Sequence, residues 1–188
     1  MKRIETTIED VVLLEPKVFR DERGFFLETY RADKYEQLGV GKRFVQDNHS
    51  KSMKGTLRGL HFQKPHSQGK LVRVTQGEVY DVAVDIRVGS PTFGMCFGTI
   101  LTSENMHQMF VPEGFAHGFC VLSETAEFEY KCTDFYAPES EFGIRWDDPD
   151  LNIAWPIERP LLSAKDKDYP FLKDIPENVL PRYEGNGC

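Results

Sequence analysis

The sequence has no excess of positive charge and no long apolar run. Its 188 residues include 23 Lys and Arg against 30 Asp and Glu, a formal net charge of -7. An acidic chain repels nucleic acid at long range, so we expect no nucleic-acid partner, and any anionic ligand must be bound by a local cluster of cations. No apolar segment approaches the roughly 20 residues needed to span a bilayer, so we expect no membrane-spanning helix.

Paired cysteines and a signal peptide are also missing. The four cysteines form no CxxC pair, and the first residues, MKRIETTIEDVV, lack the apolar core of a secretory signal. We therefore expect a cytoplasmic protein with reduced thiols at Cys96, Cys120, Cys132 and Cys188. At this length, one domain spanning residues 1–188 can bury a sizeable core.

The motifs of several enzyme classes are absent. The sequence contains no Walker phosphate loop, no glycine fingerprint of a dinucleotide-binding fold and no GxSxG nucleophile elbow. Metal-binding double-sheet barrels often use an HxH pair, but His61 is followed by Phe62 and Gln63. Three other histidines lie in stretches of turn composition: His49, His66 and His107. This pattern argues against a metal site.

Aromatic residues are abundant and favour strands. The chain has 14 Phe and 7 Tyr, which suit a pleated surface. In the segment EVYDVAVDIRVG, apolar residues from Tyr80 to Val88 alternate with Asp81, Asp85 and Arg87, which predicts an antiparallel strand with one face on a core. Turn signals predict further strands near 93–102, 106–111, 115–122 and 125–135. Many short strands at this spacing predict an all-β sandwich or barrel.

The two ends of the chain have different patterns. Turn residues at 21–24 lead into a predicted strand at 24–31, and Asp33 with Glu36 forms a capping-box pattern that predicts a short helix over 33–38. The following stretch QDNHSKS is polar and receives no strand assignment. From Trp146 onward, repeated prolines exclude long helices and predict a wrapping tail with a helical turn.

The segment LRGLHFQ, residues 57–63, brings polar chemistry into an apolar strand. Strand alternation places Arg58 and His61 on opposite faces. If both serve one site, Gly59 must relax the strand by a bulge or twist, a known use of glycine in strands. On this segment alone, a structural histidine remains the simpler interpretation.

Four further residues are suited to proton chemistry, and each has a structural alternative. His117 shares a strand face with Phe115 and Phe119 and suits a hydrogen-bonded core position, as does the aromatic ring of Tyr130. Asp166 follows Ser163 by three residues, the spacing of a helix cap, and Lys70 begins a strand and suits an edge cation. An imidazole and a tyrosine hydroxyl are also a suitable general base and acid, a buried carboxylate can orient the imidazole, and Lys70 can stabilise an oxyanion.

With these residues in place, the sequence resembles the dTDP-4-dehydrorhamnose 3,5-epimerase family of nucleotide-sugar epimerases. The resemblance covers nearly the whole chain. The segments that carry it are DERGFFLET at 21–29, FVQDNHSKS at 44–52, LRGLHFQ at 57–63, QGKLVRVTQGEVYDVAVDIR at 68–87, PEGFAHGF at 112–119, YKCTDFYAPESEFGIRWDDP at 130–149 and LSAKD at 162–166.

The resemblance implies a fold and a set of site residues. The fold is a cupin-like jelly roll, a double-sheet barrel with a few short helices and the proline-rich C-terminal tail. The implied catalytic residues are His61 as general base, Asp166 as its carboxylate partner, Tyr130 as general acid and Lys70 near the C4 oxygen. The implied substrate-binding residues are His117 near the sugar, Arg58 at the diphosphate, Tyr136 against the base, Gln46 and Asn48 in the same pocket, and Arg23, Phe26 and Glu28 from a neighbouring subunit.

The implied activity needs neither cofactor nor metal. It is inversion of C3 and C5 of dTDP-4-dehydro-6-deoxy-D-glucose to give dTDP-4-dehydro-L-rhamnose, in a homodimer that exchanges an N-terminal strand. Three alternatives stay open at this point: an epimerase that acts on one centre or on another nucleotide sugar, a jelly-roll protein that binds nucleotide sugars without turnover, and a metal-dependent cupin enzyme.

Overall fold

Antiparallel strands make up most of this computed structural model, which describes residues 1–185. Cys188 and the end of the predicted domain lie outside the described residues. The strands are β1 (Lys2–Ile4), β2 (Val12–Glu15), β3 (Val18–Asp21), β4 (Gly24–Leu27), β5 (Gln46–Met53), β6 (Leu57–Gln63), β7 (Lys70–Gln76), β8 (Glu78–Asp85), β9 (Cys96–Thr102), β10 (Gln108–Val111), β11 (Phe115–Val121), β12 (Thr125–Cys132) and β13 (Glu141–Gly143). The helices are α1 (Ala32–Gln37) and α2 (Ala164–Lys167), with 3-10 turns at Pro138–Ser140 and Leu172–Asp174.

Two sheets form the double-sheet barrel that the sequence predicts. One has six strands in the order β1-β2-β10-β7-β12-β5, and the other has five in the order β13-β6-β11-β8-β9. Strands β3 and β4 pair only with each other, as a separate hairpin. The all-β, jelly-roll interpretation is confirmed. No helix within residues 1–185 is long and apolar enough to cross a membrane.

Strand β8 is buried on both faces, whereas the sequence predicts a single core-facing side. Its apolar face, with Val82 and Val84, packs outside the barrel against the C-terminal tail, including Leu172 and Leu180. The opposite face carries Asp81 and Ala83 towards the barrel interior, and both are fully buried. The tail therefore covers the face that the alternation identified, and the acidic face points into the barrel.

The strand predicted at 57–63 occurs with the same bounds, the remaining predicted strands are shorter, and the helix cap differs from the prediction. The strand predicted at 24–31 ends at Leu27, and the helix predicted at 33–38 spans Ala32–Gln37. Arg31 occupies the N-cap position and no side chain caps the helix, so the Asp33–Glu36 capping-box interpretation is wrong. Asp33 instead accepts hydrogen bonds from Arg31 within the first turn.

The polar stretch QDNHSKS is a strand, which the sequence pattern did not reveal. Along β5, Gln46, Asn48 and Ser52 point towards the barrel side, where Asn48 donates to the thiol of the buried Cys132. His49 therefore lies on a strand and not in a turn, and it contacts Glu127 and Glu129 on the outer face. A strand whose inner side chains line a polar cavity lacks the apolar alternation that marks ordinary strands.

Gly59 bends β6, as a shared site for Arg58 and His61 requires. Between the cross-strand pairs His117–His61 and Phe119–Arg58 the register shifts, so β6 contains one more residue than the facing part of β11. Gly59 has φ +120°, and a Cβ there would lie 2.6 Å from Gly118 Cα. This β-bulge reverses the alternation and lets Arg58 and His61 serve the same side of the strand.

Candidate active site

His61 and Asp166 form a hydrogen-bonded pair at one end of the barrel. The Nε2 atom of His61 lies 2.6 Å from Oδ1 of Asp166, and their side chains are 28% and 4% exposed. Burial raises the pKa of Asp166, but hydrogen bonds from His61, Ser163 and the Gly59 backbone outweigh that effect and hold the pKa below its usual range. Since an ionised Asp166 accepts the Nε2 proton, the lone pair of neutral His61 resides on Nδ1.

A second imidazole–carboxylate pair lies beside the first. His117 faces His61 directly across β11 and β6, and its Nε2 lies 2.8 Å from Oδ1 of Asp81. The other oxygen of Asp81, Oδ2, is buried without a hydrogen-bond partner among the described residues. Burial raises the pKa of Asp81, while His117 and the charge of Lys70 oppose that rise.

Lys70 brings a cation to the same interior. It begins β7 opposite Cys132 of β12, and burial lowers its pKa although Cys132, Glu141 and Asp81 act in the other direction. The structure thus places Lys70 within the field of Asp81, the partner of His117. The edge-cation interpretation of Lys70 does not fit this position, since β7 lies between β10 and β12.

Tyr130 is on the sheet that faces His61. It packs beside Phe128, whose ring in turn stacks on His117 with ring centroids 6.1 Å apart. Burial raises the pKa of Tyr130, and the nearby positive charge of Arg58 opposes that rise. The hydroxyl therefore keeps its proton at neutral pH, as a general acid requires. Arg58 donates to Ser52 of β5, so its guanidinium reaches from one sheet towards the other.

The mouth of the barrel carries a hydrogen-bonded group around Tyr136. The Tyr136 hydroxyl donates to Glu141 at 2.7 Å, and its backbone N–H donates to Gln46, which in turn donates to Asn48. Glu141 also pairs with Lys165 at 2.5 Å. Burial raises the pKa of Glu141, but the bonds from Lys165 and Tyr136 bring it below its usual range.

Arg23, Phe26 and Glu28 do not join these residues within one chain. Arg23 pairs with Asp21 at the tip of the β3–β4 hairpin, and Phe26 is 69% exposed. Glu28 follows the hairpin and pairs with Lys34 at 2.7 Å. A single chain therefore brings together the residues of the barrel interior and its mouth, and it leaves Arg23, Phe26 and Glu28 apart from them.

Sequence reasoning missed three charged residues near the site. Alternation places Asp81 on the polar face of β8, and the sequence pattern distinguishes neither Glu141 nor Lys165 from other charged residues. Glu141 acts electrostatically on His61, Lys70 and Tyr130, so it belongs to the same site. The signal available for Asp81 was an acid in the middle of an almost continuous apolar run, since a buried carboxylate needs a partner. Glu141 and Lys165 had no comparable signal.

Potential metal ligands do not cluster in the part of the chain that the structure describes. Residues 1–185 contain no group of three or more His, Cys, Asp or Glu side chains arranged to hold a metal ion. The barrel holds the hydrogen-bonded His61–Asp166 pair, the Tyr130 hydroxyl on the facing sheet, and the cations Arg58 and Lys70. Such a site can remove a proton from one face of a ligand and return one from the other.

The chain matches known proteins over most of its length. Residues 5–174 match the family described as dTDP-4-dehydrorhamnose 3,5-epimerase. The chain belongs to this family. The dTDP-4-dehydrorhamnose 3,5-epimerase of Shigella flexneri is 59% identical over 169 residues, which cover 88% of this chain and 93% of that protein. Family membership makes the chain an isomerase of the epimerase class, and it confirms the resemblance found in the sequence.

Solved structures of this epimerase family share the fold. The epimerase of Legionella pneumophila, crystallised in complex with dTDP-4-keto-L-rhamnose, is 55% identical with a TM-score of 0.95, and the match covers 98% of this chain and 99% of that one. A more distant relative, the dTDP-4-dehydrorhamnose 3-epimerase of Streptomyces niveus, is 40% identical over 179 residues, covering 94% of this chain and 86% of that protein.

Proposed function

We propose that this protein inverts C3 and C5 of dTDP-4-dehydro-6-deoxy-D-glucose to give dTDP-4-dehydro-L-rhamnose. The observation that carries the proposal is the 2.6 Å contact between His61 and Asp166, with Tyr130 on the facing sheet, in a chain of the epimerase family. Both inversions are proton transfers with no net oxidation, so the residues of the site can supply the chemistry without an electron carrier.

His61 is the proposed general base. The C4 ketone of the substrate acidifies the hydrogens at C3 and C5, and Nδ1 of His61 accepts each proton in turn. Asp166 then stabilises the imidazolium that forms, because its carboxylate accepts the Nε2 proton at 2.6 Å. Loss of the proton places negative charge on the C4 oxygen as an enolate, and Lys70 and His117 are the proposed groups that stabilise it.

Tyr130 is the proposed general acid. Inversion requires that the new proton reach the carbon from the face opposite to the base, so the two groups must stand on opposite sides of the ring. His61 belongs to the five-stranded sheet and Tyr130 to the six-stranded one. The raised pKa of Tyr130 supports this role, since the hydroxyl enters each cycle protonated.

The nucleotide is proposed to lie at the mouth of the barrel. Arg58 is the proposed diphosphate ligand, because a planar fork of donors suits phosphate oxygens. Tyr136 is 52% exposed and forms hydrogen bonds with Gln46 and Glu141, which leave its ring available to pack on the base of the nucleotide. Asn48 completes this pocket beside Gln46, and Lys165, which pairs with Glu141, is proposed to add a cation at the same mouth.

A homodimer is proposed to complete the site. In the β3–β4 hairpin, Phe19, Phe25 and Phe26 are each more than half exposed, although they lie on a strand pair with no other sheet partner among the described residues. Strand β5, which carries Gln46 and Asn48, has a free edge at the end of the six-stranded sheet. An exposed apolar hairpin and an open strand edge are complementary, so a hairpin from a second copy can pair with β5 and bring Arg23, Phe26 and Glu28 to the nucleotide pocket.

Two further proposals concern the chain as a whole. We take residues 1–188 as one epimerase domain, supported by the family match over residues 5–174. We propose the cytoplasm as its compartment, supported by the free thiols of Cys96, Cys120 and Cys132, because a reducing compartment keeps such thiols unpaired.

Proton NMR in deuterated water tests the activity. Incubation with dTDP-4-dehydro-6-deoxy-D-glucose should place deuterium at both C3 and C5 and yield the L-rhamno product, and His61→Ala should abolish exchange at both carbons. Near-normal deuterium exchange in His61→Ala would contradict the assignment of His61 as the general base. Tight binding of the substrate by the unaltered protein without any exchange would show a binding protein and not an enzyme of this reaction.

A single-centre epimerase is the second candidate. The 40% identical relative from Streptomyces niveus is named for 3-epimerisation alone, so this chain has a relative with that narrower description. The same NMR experiment separates the candidates, because deuterium in the product at C3 alone identifies the single-centre enzyme.

A further inference from the structure

The ring of Tyr169 stands edge-on against the ring of His61. Their centroids are 5.8 Å apart and the ring planes meet at 72°, a T-shaped contact that favours one mutual orientation. Tyr169 lies just after α2, the helix that contains Asp166. The imidazole is therefore hydrogen-bonded by a side chain of α2 and packed against an aromatic ring from the segment that follows it.

Gly143 provides the space for this ring. It is the cross-strand partner of His61 on β13, and a Cβ at this position would lie 2.3–2.5 Å from three atoms of the Tyr169 ring. Its backbone is outside the left-handed region, so a side chain is excluded by the tyrosine and not by the conformation of the chain. The Tyr169 ring thus rests on the strand next to His61.

The hydroxyl of Tyr169 does not explain why a tyrosine occupies this place. It is buried and has no hydrogen-bond partner among the described residues. A buried hydroxyl without a partner is unfavourable for folding. The Tyr169 ring, in contrast, contacts His61 and lies against the backbone of Gly143.

We infer that Tyr169 is a positioning residue for the general base: its ring, seated on Gly143, fixes the plane of the His61 imidazole while Asp166 fixes its proton. The inference rests on the proposed function of His61 as base. A base held in one plane directs Nδ1 at the substrate in every encounter, whereas a base free to tilt does so only part of the time.

Steady-state kinetics of Tyr169 variants test the inference. Tyr169→Ala should lower kcat about tenfold with KM within about twofold, because orientation of the base affects the chemical step and not substrate binding. Tyr169→Phe keeps the ring and should keep kcat within about twofold. Wild-type kcat in Tyr169→Ala, a rise in KM alone, or equal losses in Tyr169→Phe and Tyr169→Ala would each overturn the inference.

Gly143 supplies an independent test of the same contact. Gly143→Ala should displace the ring and lower kcat as Tyr169→Ala does. The kcat of the double variant, Gly143→Ala with Tyr169→Ala, should be no lower than that of Gly143→Ala alone. In the double variant the ring that the new methyl group would displace is absent. Additive losses in the double variant would show that the two residues act separately and would contradict the inference.

Tyr80 provides a matched control for loss of stability. It also rests on a glycine of a neighbouring strand, Gly98, and meets Trp155 edge-on with centroids 5.9 Å apart, but in the outer core beneath the C-terminal tail. Tyr80→Ala should lower the unfolding temperature without a tenfold loss of kcat. An equal loss of kcat in Tyr80→Ala would mean that removing any such ring has this effect, which would overturn the specific role of Tyr169.

An NMR readout separates this inference from the proposed function. In protein labelled with 15N histidine, the Nε2 proton of His61 should exchange with water at least fivefold faster in Tyr169→Ala than in the wild type or Tyr169→Phe. Unchanged exchange would overturn the positioning role whatever the activity. Faster exchange in Tyr169→Ala, found together with no epimerase turnover in the wild type, would uphold the packing role and reject only the proposed reaction.

Discussion

The Nε2 atom of His61 lies 2.6 Å from Oδ1 of Asp166, although 105 residues separate them in the chain. The same carboxylate accepts a hydrogen bond from the hydroxyl of Ser163, the N-cap residue of α2. The Asp166 backbone N–H in turn donates to that hydroxyl oxygen. The capping role that the sequence suggests for Asp166 and its pairing with His61 are therefore both present. The cap fixes the carboxylate at the position where the imidazole needs it.

Asp166→Asn should lower kcat by about 10²–10³-fold while leaving the fold intact. An amide accepts the His61 proton in the same geometry, but it does not stabilise the imidazolium by charge, and it also permits the wrong tautomer. Asp168→Asn, at the exposed C-cap of α2, is the matched control and should retain activity. Full activity in Asp166→Asn would show that the carboxylate charge is not needed.

The difference in stability between the wild type and Asp166→Asn should depend on pH. The pKa of Asp166 is below its ordinary value of 3.8 in the folded protein. The ionised carboxylate therefore stabilises the fold at pH values above 3.8, and this contribution disappears as the pH falls through the lower folded-state pKa. Urea unfolding should show wild type more stable than Asp166→Asn at pH 7, with the gap closing below pH 3.8.

Tyr130→Phe should separate proton removal from inversion. The proposed base, His61, can still remove and return protons on its own face, so deuterium should enter the substrate, but the proposed acid on the opposite sheet is missing. Formation of the inverted product should fall by about 10²-fold or more, a typical loss for one general acid. The measurement is proton NMR of substrate and product in deuterated water, and unaltered product formation would remove Tyr130 from the mechanism.

The sequence predicts the strands well where one face is apolar, and poorly where a strand lines the polar cavity. Strand β8 follows from alternation and β11 from the turn signals that flank it, whereas β5 follows from neither, because Gln46, Asn48 and Ser52 point inward. Apolar alternation indicates the direction of one core, but β8 lies between two apolar clusters. The face of β8 with Val82 packs under the tail, and Asp81 on the other face reaches the site.

The site residues could be named from the sequence only through the family resemblance. Alternation alone separates Arg58 from His61, and only the bulge at Gly59 resolves that conflict. Long-range partners such as Asp81 with His117 depend on strand pairing, which local patterns do not specify. Glu141 was missed for the same reason: its contacts with Tyr136 and Lys165 arise only when the mouth of the barrel closes.

Lys70→Met should abolish most activity without loss of stability at pH 7. The pKa of Lys70 is lowered by burial from its ordinary value of 10.5, so its charged form is disfavoured in the folded protein. The unfavourable free energy of burying the charged Lys70 side chain is present while the ammonium stays charged. It falls as the pH rises through the folded-state pKa towards 10.5. The variant should match or exceed wild type in urea at pH 7, and the difference should shrink at higher pH.

Gly59→Ala should be much more damaging than the same change at another left-handed glycine. A Cβ at Gly59 would lie 2.6 Å from Gly118 Cα and 2.7 Å from the His117 carbonyl oxygen, at φ +120°. Gly89 has φ +86°, but no described atom lies within 4 Å of the place that a Cβ would take, so Gly89→Ala carries the conformational cost alone. We expect about 1 kcal/mol for Gly89→Ala and about 3 kcal/mol or more for Gly59→Ala in urea unfolding.

Mixing two inactive variants tests the proposed exchange of the hairpin. One chain carries His61→Ala and keeps its hairpin, and the other carries Arg23→Ala with Phe26→Ala and keeps its base. If Arg23 and Phe26 act in the partner's pocket, each homodimer is inactive, but a mixed dimer contains one site with an intact base and an intact hairpin. Unfolding and refolding the two together at equal concentration should therefore restore up to about one quarter of wild-type activity, since half of the dimers are mixed and each has one working site of two. If the hairpin served its own chain, the mixed dimer would have no complete site, and the refolded mixture would stay as inactive as its parents.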